Sequence, residues 1–153
     1  MIGTNGKNIG MRVVNEFGAF ILDSSVTLSW FLPDEVASVS RGLLHETAQN
    51  GAWVPSIWPL EVGNGLSIAM KRRRISTDLR TRAFDRLGLL PIRVDRSTVV
   101  HAWRATLELA DRFHLTLYDA CYLELATRRH LPLATLDKEL RTASRKLGIE
   151  LLG

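Results

Sequence analysis

The sequence predicts an α/β protein, a three-layer α/β/α sandwich around a short, mostly parallel central sheet. Three observations lead there. Runs such as Ala19-Phe20-Ile21-Leu22 and Leu131-Pro132-Leu133-Ala134-Thr135 are short and largely apolar rather than alternating, as strands buried on both faces are. Between them lie longer segments with apolar residues at helical spacing and capping residues at their starts. The 153 residues fit one domain, without internal repeat, low-complexity tract or interdomain linker.

Residues 1–18 are polar, contain Gly and Asn, and lack periodicity; they read as a disordered leader or tag, with Met11 a second possible start. Ala19–Leu22 is the first strand. Ser24 or Ser25 can cap a helix through Leu32, which Pro33 stops. A helix from about Glu35 to Gln49 ends at Asn50-Gly51, a helix-terminating pair. Trp53-Val54 is a brief strand. Ser56 can cap a helix to about Arg73, with Leu60, Leu66, Ile68 and Ala69 on one broad stripe. Thr77 starts the next, with Leu79, Ala83, Phe84 and Leu87 at helical spacing and Gly88 closing it. Leu90–Val94 is a strand. Asp95 or Ser97 then caps a long helix to about Phe113, with Val99, Val100, Trp103, Leu107 and Ala110 inward. Thr116 caps a helix to about Arg129, Leu131–Thr135 is a strand, Lys138–Leu147 a helix, and Ile149–Leu151 a last strand after Gly148.

At 46% apolar and 24% charged, the composition is that of a soluble globular domain able to bury a core without staples. No apolar stretch is long enough to span a bilayer, and the first ten residues lack the apolar core of a signal peptide. A single cysteine, Cys121, excludes an internal disulfide and agrees with a reducing cytoplasm; it reads as a packed small residue. The net charge is +4. If four acids are committed to a site, the remaining surface is more cationic still, which favours an anionic partner such as RNA or DNA.

Four acids stand out. Asp23 ends the first strand, Asp137 lies just past a late one, and Glu61 and Asp119 fall in the first turns of helices. In open α/β sheets that common end, beyond the carboxyl ends of strands, is where ligands collect. Burying a bare carboxylate is costly, and four together repel. A divalent cation neutralises them, and an all-oxygen donor set suits Mg²⁺ or Mn²⁺. Taken singly, each acid could equally be a helix cap or a partner of the helix dipole.

The runs Ile21-Leu22-Asp23-Ser24-Ser25, Pro55-Ser56-Ile57-Trp58-Pro59-Leu60-Glu61-Val62-Gly63-Asn64, Thr116-Leu117-Tyr118-Asp119-Ala120-Cys121-Tyr122 and Leu133-Ala134-Thr135-Leu136-Asp137 resemble PIN domains, and more narrowly the VapC-type toxins of bacterial toxin–antitoxin pairs. The resemblance spans roughly residues 19–153, which would then be a PIN-like nuclease domain. It implies a Mg²⁺- or Mn²⁺-dependent endoribonuclease, a homodimer, and a cognate antitoxin covering the active site. Asp23, Glu61, Asp119 and Asp137 match the acidic quartet. Thr135 matches the Ser/Thr beside the last acid, Ser25 the small polar residue after the first, and Asn64 an amide one turn after the Glu.

On this reading Asp23 and Asp119 are the principal metal ligands, with Asp137 and Glu61 completing the set directly or through water. Lys71-Arg72-Arg73-Arg74 is the strongest basic run, either a path for RNA phosphates or a solvated helix end; Arg128-Arg129-His130 is equally open. Trp30, Trp53, Trp58 and Trp103 read as core or interface anchors, and Trp30-Phe31-Leu32 as an antitoxin contact. His45, His101, His114 and His130 show no metal-ligand spacing. An aspartyl phosphotransferase would also place Asp at the first strand's end. A haloacid-dehalogenase-like enzyme wants a second Asp where Ser25 stands, and a receiver domain wants an early acid pair that is absent. A non-catalytic nucleic-acid-binding or interaction module is the second class of function.

Overall fold

The computed structural model describes residues 19–33 and 38–153. The leader 1–18 and the predicted helix start at Glu35 lie outside the described residues.

The chain runs β1 (Ile21–Leu22), α1 (Ser24–Ser29), α2 (Ser38–Asn50), β2 (Ala52–Pro55), α3 (Trp58–Lys71), α4 (Thr77–Leu89) and β3 (Ile92–Asp95). It continues through α5 (Thr98–His101), a π-helical stretch (Ala102–Thr106), α6 (Leu107–Phe113), α7 (Leu117–Arg129), β4 (Leu133–Ala134), α8 (Lys138–Lys146) and β5 (Leu151–Leu152). The five strands form one sheet in the order β3-β2-β1-β4-β5, and every pairing is parallel. Consecutive residues of a strand face opposite sides of a sheet. Phe20, Ile21 and Leu22 are all fully buried, as are Leu133 and Ala134, so helices cover both faces.

β1 is the centre. The chain builds outward from it through β2 and β3 on one side, then returns to add β4 and β5 on the other. That reversal opens a crevice at the carboxyl ends of β1 and β4. The ladder continues into it: the Asp23 N–H donates to the Ala134 carbonyl at 3.0 Å, which sets Asp23 beside Thr135.

Glycine governs one close approach. A Cβ at Gly65 would stand 2.6 Å from Leu28 Cδ1, so the bare backbone lets α1 and α3 pack tightly. Leu28 lies one turn after Ser24, and Gly65 one turn after Glu61. The same contact therefore draws the first turns of both helices together at the crevice.

Several predicted details differ. Asp23, not Ser24 or Ser25, occupies the cap position of α1, and it makes no side-chain capping bond. Ile57 rather than Ser56 precedes α3; the Ser56 N–H donates instead to Thr98 Oγ1 at 2.9 Å. Ser76 caps α4, accepting from the Leu79 N–H, and that helix runs through Gly88 to Leu89. The predicted inward face of the long helix holds at Ala110, which is buried, but Val99, Val100, Trp103 and Leu107 are exposed, Trp103 by 87%, and Thr98 and Thr106 are buried in their place. The π-helical stretch interrupts the 3.6-residue spacing from Ala102 onward, which bears on Trp103 and Leu107 but not on Val99 and Val100.

Candidate active site at the carboxyl ends of β1 and β4

Asp23 is the most enclosed of the four acids, 4% exposed. Its Oδ2 accepts from Ser25 Oγ and from Thr135 Oγ1, each at 2.6 Å, and Oδ1 receives a long contact from Ser24 Oγ at 3.5 Å. Thr135 arrives from the end of β4 and is itself fully buried. Burial raises the Asp23 pKa above the usual carboxylate range; the Ser25 and Thr135 hydroxyls oppose that rise, and the Asp119 and Asp137 charges add to it.

Glu61 enters from the first turn of α3. Its Oε1 accepts from Tyr122 Oη at 2.6 Å and from Ser24 Oγ at 3.5 Å. Burial lifts its pKa, the Tyr122 hydrogen bond lowers it, and Asp23 and Asp119 raise it again. Asp119 sits in the first turn of α7, where Thr116 Oγ1 caps the helix by accepting from the Asp119 N–H at 3.1 Å. The cap uses the Asp119 backbone. Burial raises the Asp119 carboxyl, hydrogen bonding with Thr116 lowers it, and Asp137 and Glu139 raise it.

Asp137 has a capping role as well. Its Oδ1 accepts from the Leu140 N–H at 2.7 Å and so closes the start of α8, while its own N–H donates to Thr135 Oγ1 at 3.0 Å. Thr135 thus links Asp23 to Asp137. Ser25 makes the parallel link, its Oγ bonding Asp23 Oδ2 and accepting from the Leu136 N–H at 3.0 Å.

The four acids therefore share one electrostatic field at one end of the sheet, the end that the strand order opens. The donor set, oxygen only and carboxylate-rich, is chemically that of a Mg²⁺ or Mn²⁺ site. Geometrically it is open: among the described residues no three His, Cys, Asp or Glu side chains stand close enough to form a ready metal-binding group. Mg²⁺ commonly retains several waters, so a set of acids spaced more widely than a direct ligand cage would still suit such an ion.

The other predicted residues fall elsewhere. Asn64 is exposed one turn along α3, and among the described residues the partners of Glu61 are Tyr122 and Ser24 instead. Lys71, Arg72, Arg73 and Arg74 are exposed at the far end of α3, with Lys71 roughly 15 Å along the helix from Glu61 at about 1.5 Å per residue. Arg128 and Arg129 are largely committed to buried acids. Arg128 makes a bidentate contact with Asp95, at 2.8 and 3.2 Å, and bonds Glu124 through Nε at 2.7 Å; Arg129 reaches Asp95 Oδ1 at 3.0 Å and lies over the Trp53 ring at 3.5 Å. Burial alone would raise the Asp95 pKa, but the two arginines outweigh it and hold the carboxyl below its ordinary value. Trp58 is core, and Trp30 and Trp53 are half-buried against it. Cys121 is buried, its thiol pushed up to about 11 by burial and then by neighbouring acids.

Sequence reasoning missed three features. Ser24 touches both Asp23 and Glu61, and Tyr122 holds Glu61; the Tyr122 signal was its position one helical turn after Asp119. A groove of about 280 Å³ lies beside α8, lined by Phe113, His114, Lys138, Glu139, Thr142 and Lys146 among others. Lys138, Thr142 and Lys146 recur at four-residue spacing, and Lys138 directly follows Asp137.

Comparison with known proteins identifies the family and the fold. The PIN domain family model matches residues 20–146. Ribonuclease VapC1 of Mycobacterium tuberculosis, from strain CDC 1551 / Oshkosh and from strain ATCC 25618 / H37Rv, is 34% identical over 110 residues, covering 70% of this chain and 76% of the relative. The crystal structure of PAE2754 from Pyrobaculum aerophilum superposes with a TM-score of 0.63 at 20% identity, over 88% of this chain and 91% of that one, which supports the fold. On the family match and the VapC1 identity, this chain belongs to the PIN-domain family, among its VapC-type members.

Proposed function

We propose that this protein is a divalent-metal-dependent endoribonuclease, acting as the toxin of a toxin–antitoxin pair. The observation that carries the reading is the placement of Asp23, Glu61, Asp119 and Asp137 at the starts of α1, α3, α7 and α8, with the Ser25 and Thr135 hydroxyls tying Asp23 to the segment that carries Asp137. The VapC1 relatives, named as ribonucleases, supply the substrate class.

Asp23 and Asp119 are the principal metal ligands in this account, with Glu61 and Asp137 completing the set directly or through water. When bound, Mg²⁺ or Mn²⁺ neutralises charge at the scissile phosphate and makes its coordinated water more acidic. The chain does the rest. Ser25 and Thr135 hold Asp23 Oδ2 from two sides and fix its orientation. Asp137 has one oxygen on the α8 cap, which restricts it to presenting the other. Glu61, half-buried and held through one oxygen by Tyr122, is suited to orient an attacking water. RNA phosphates would run along the Lys138–Lys146 groove next to the acids, or toward Lys71–Arg74.

The partners follow from the same reading: RNA, an antitoxin that covers the acidic pocket, and a second copy of the chain. Val99, Val100, Trp103 and Leu107 form an exposed apolar stripe that supports a protein interface. Of the expected antitoxin contact Trp30-Phe31-Leu32, Leu32 is buried in the core, which leaves the half-buried Trp30 and Phe31 as the proposed contact. Among the described residues no helix is long and apolar enough to cross a membrane. A cytoplasmic location is the reading that the single cysteine supports.

The spacing of the acids favours one second reading, a PIN-like module that binds RNA without cutting it. Cleavage of a structured RNA by purified protein, in EDTA and after adding back Mg²⁺ or Mn²⁺, separates the two. The nuclease reading predicts cutting that EDTA stops, metal restores and Asp23→Ala abolishes. Binding without cutting under all conditions would refute it.

A further inference from the structure

Glu61 has the weakest natural hold on its place. It carries one more rotatable bond than an aspartate and is half-buried on a helix whose neighbouring Leu60 and Asn64 are exposed. Its charge lies in the field of two like charges, Asp23 and Asp119. Left to itself, such a side chain swings into water, where its charge is solvated and repulsion falls.

One strong contact opposes that motion. Tyr122 is fully buried, and its hydroxyl donates to Glu61 Oε1 at 2.6 Å, a short charge-assisted bond. The other contact, from Ser24, is 3.5 Å long, at the limit of a hydrogen bond. Among the described residues Oε2 has no hydrogen-bond partner, so it stays available to water, metal or substrate. Tyr122 lies three residues after Asp119 on α7, so the two share a helix face. A rigid ring packed in the core thus fixes the separation between an acid on α3 and an acid on α7.

We propose that Tyr122 is a positioning residue for Glu61: its buried hydroxyl anchors Oε1 and retains the carboxylate in the acidic pocket against the repulsion of Asp23 and Asp119. This rests on the reading of Glu61 as part of a metal-binding set. Partners of this kind, which orient a ligand without touching the metal, typically change metal affinity or activity by about 10–100-fold when removed.

The test is a double-mutant cycle on Glu61→Ala and Tyr122→Phe, read by calorimetric titration of Mn²⁺ into metal-free protein and by single-turnover RNA cleavage. Phe keeps the ring, so Y122F should melt within a few degrees of wild type. Its Mn²⁺ affinity should fall roughly 10–100-fold, and its cleavage rate at saturating RNA should fall with it, while the RNA concentration for half-saturation stays within about twofold. In the E61A background Y122F should add less than about twofold to the loss in Mn²⁺ affinity, because there is no carboxylate left to hold. A purely structural tyrosine would instead add its full effect on top of E61A, and that outcome overturns the proposal. Wild-type Mn²⁺ affinity in Y122F, with E61A impaired, also overturns it. If E61A itself binds Mn²⁺ and cuts like wild type, the metal-site reading of Glu61 has failed, and the role of Tyr122 falls with it.

Discussion

Replacing Asp23 by Asn should abolish cleavage and yet make the metal-free protein more stable. Asp23 is 4% exposed and carries its charge among other acids. Desolvating a carboxylate costs several kcal/mol even after relaxation. What offsets it are the two 2.6 Å hydrogen bonds from Ser25 and Thr135. Asn keeps a carbonyl oxygen that can accept both, but as neutral bonds each weaker by about 1 kcal/mol. The balance favours Asn by on the order of 1–3 kcal/mol, or roughly 3–10 °C in Tm for a chain of this size.

The pH dependence has a definite sign. Burial first, with the charges of Asp119 and Asp137 added, holds the native Asp23 pKa above its unfolded value. Its contribution to wild-type stability is therefore fully present below the unfolded pKa and is lost as pH rises through the native one. The advantage of D23N is greatest at neutral pH and shrinks toward zero in acid. Mn²⁺ should reverse the order at neutral pH by stabilising wild type alone. Thermal melts in EDTA and in Mn²⁺ across a pH series, with cleavage assays on the same preparations, make the test. A D23N protein that is less stable than wild type in EDTA at neutral pH, or one that still cuts RNA, refutes the reasoning.

Arg128→Ala should destabilise by about 3 kcal/mol or more in urea titration, because it leaves Glu124 and part of Asp95 buried without their main partner; a change under about 1 kcal/mol would show the cluster to be solvated. Replacing Arg72, Arg73 and Arg74 together by Gln should weaken RNA binding across sequences and flatten its salt dependence if that run is the RNA path, whereas K138Q with K146Q should do so if the α8 groove is; filter binding at several salt concentrations decides between them. If the exposed stripe at Trp103 is the interface of the proposed homodimer, Trp103→Lys should yield monomers by light scattering where the wild type gives dimers, with a Tm change of only a degree or two, since the ring is exposed in the single chain; a dimeric variant would place the interface elsewhere, and a monomeric wild type would refute the dimer.

The alternation of strands and helices was legible because runs buried on both faces cannot hide their apolar character. The positions of the four acids were legible because each abuts a helix start or strand end: Asp119 follows its Thr116 cap by three, Asp137 is itself a cap, Asp23 closes β1, and Glu61 falls in the first turn of α3. What stayed hidden depends on tertiary contacts. Tyr122 in sequence is one more apolar residue in a helix, and only the crossing of α7 with α3 brings it to Glu61. Arg128 and Arg129 look like a solvated helix terminus until β3 delivers Asp95 beneath them. Trp103 lies within the π-helical stretch, where the 3.6-residue spacing does not apply and which leaves no mark in the apolar pattern; Val99 and Val100, ahead of it, already face outward.

A metal ion held among the four acids is the central claim. Anomalous diffraction at the manganese edge from crystals grown with Mn²⁺ tests that directly. A peak in the crevice at the carboxyl ends of β1 and β4, bounded by Asp23, Glu61, Asp119 and Asp137 and missing from D23N crystals, is the predicted result. A peak anywhere else, or none at saturating Mn²⁺, would contradict it.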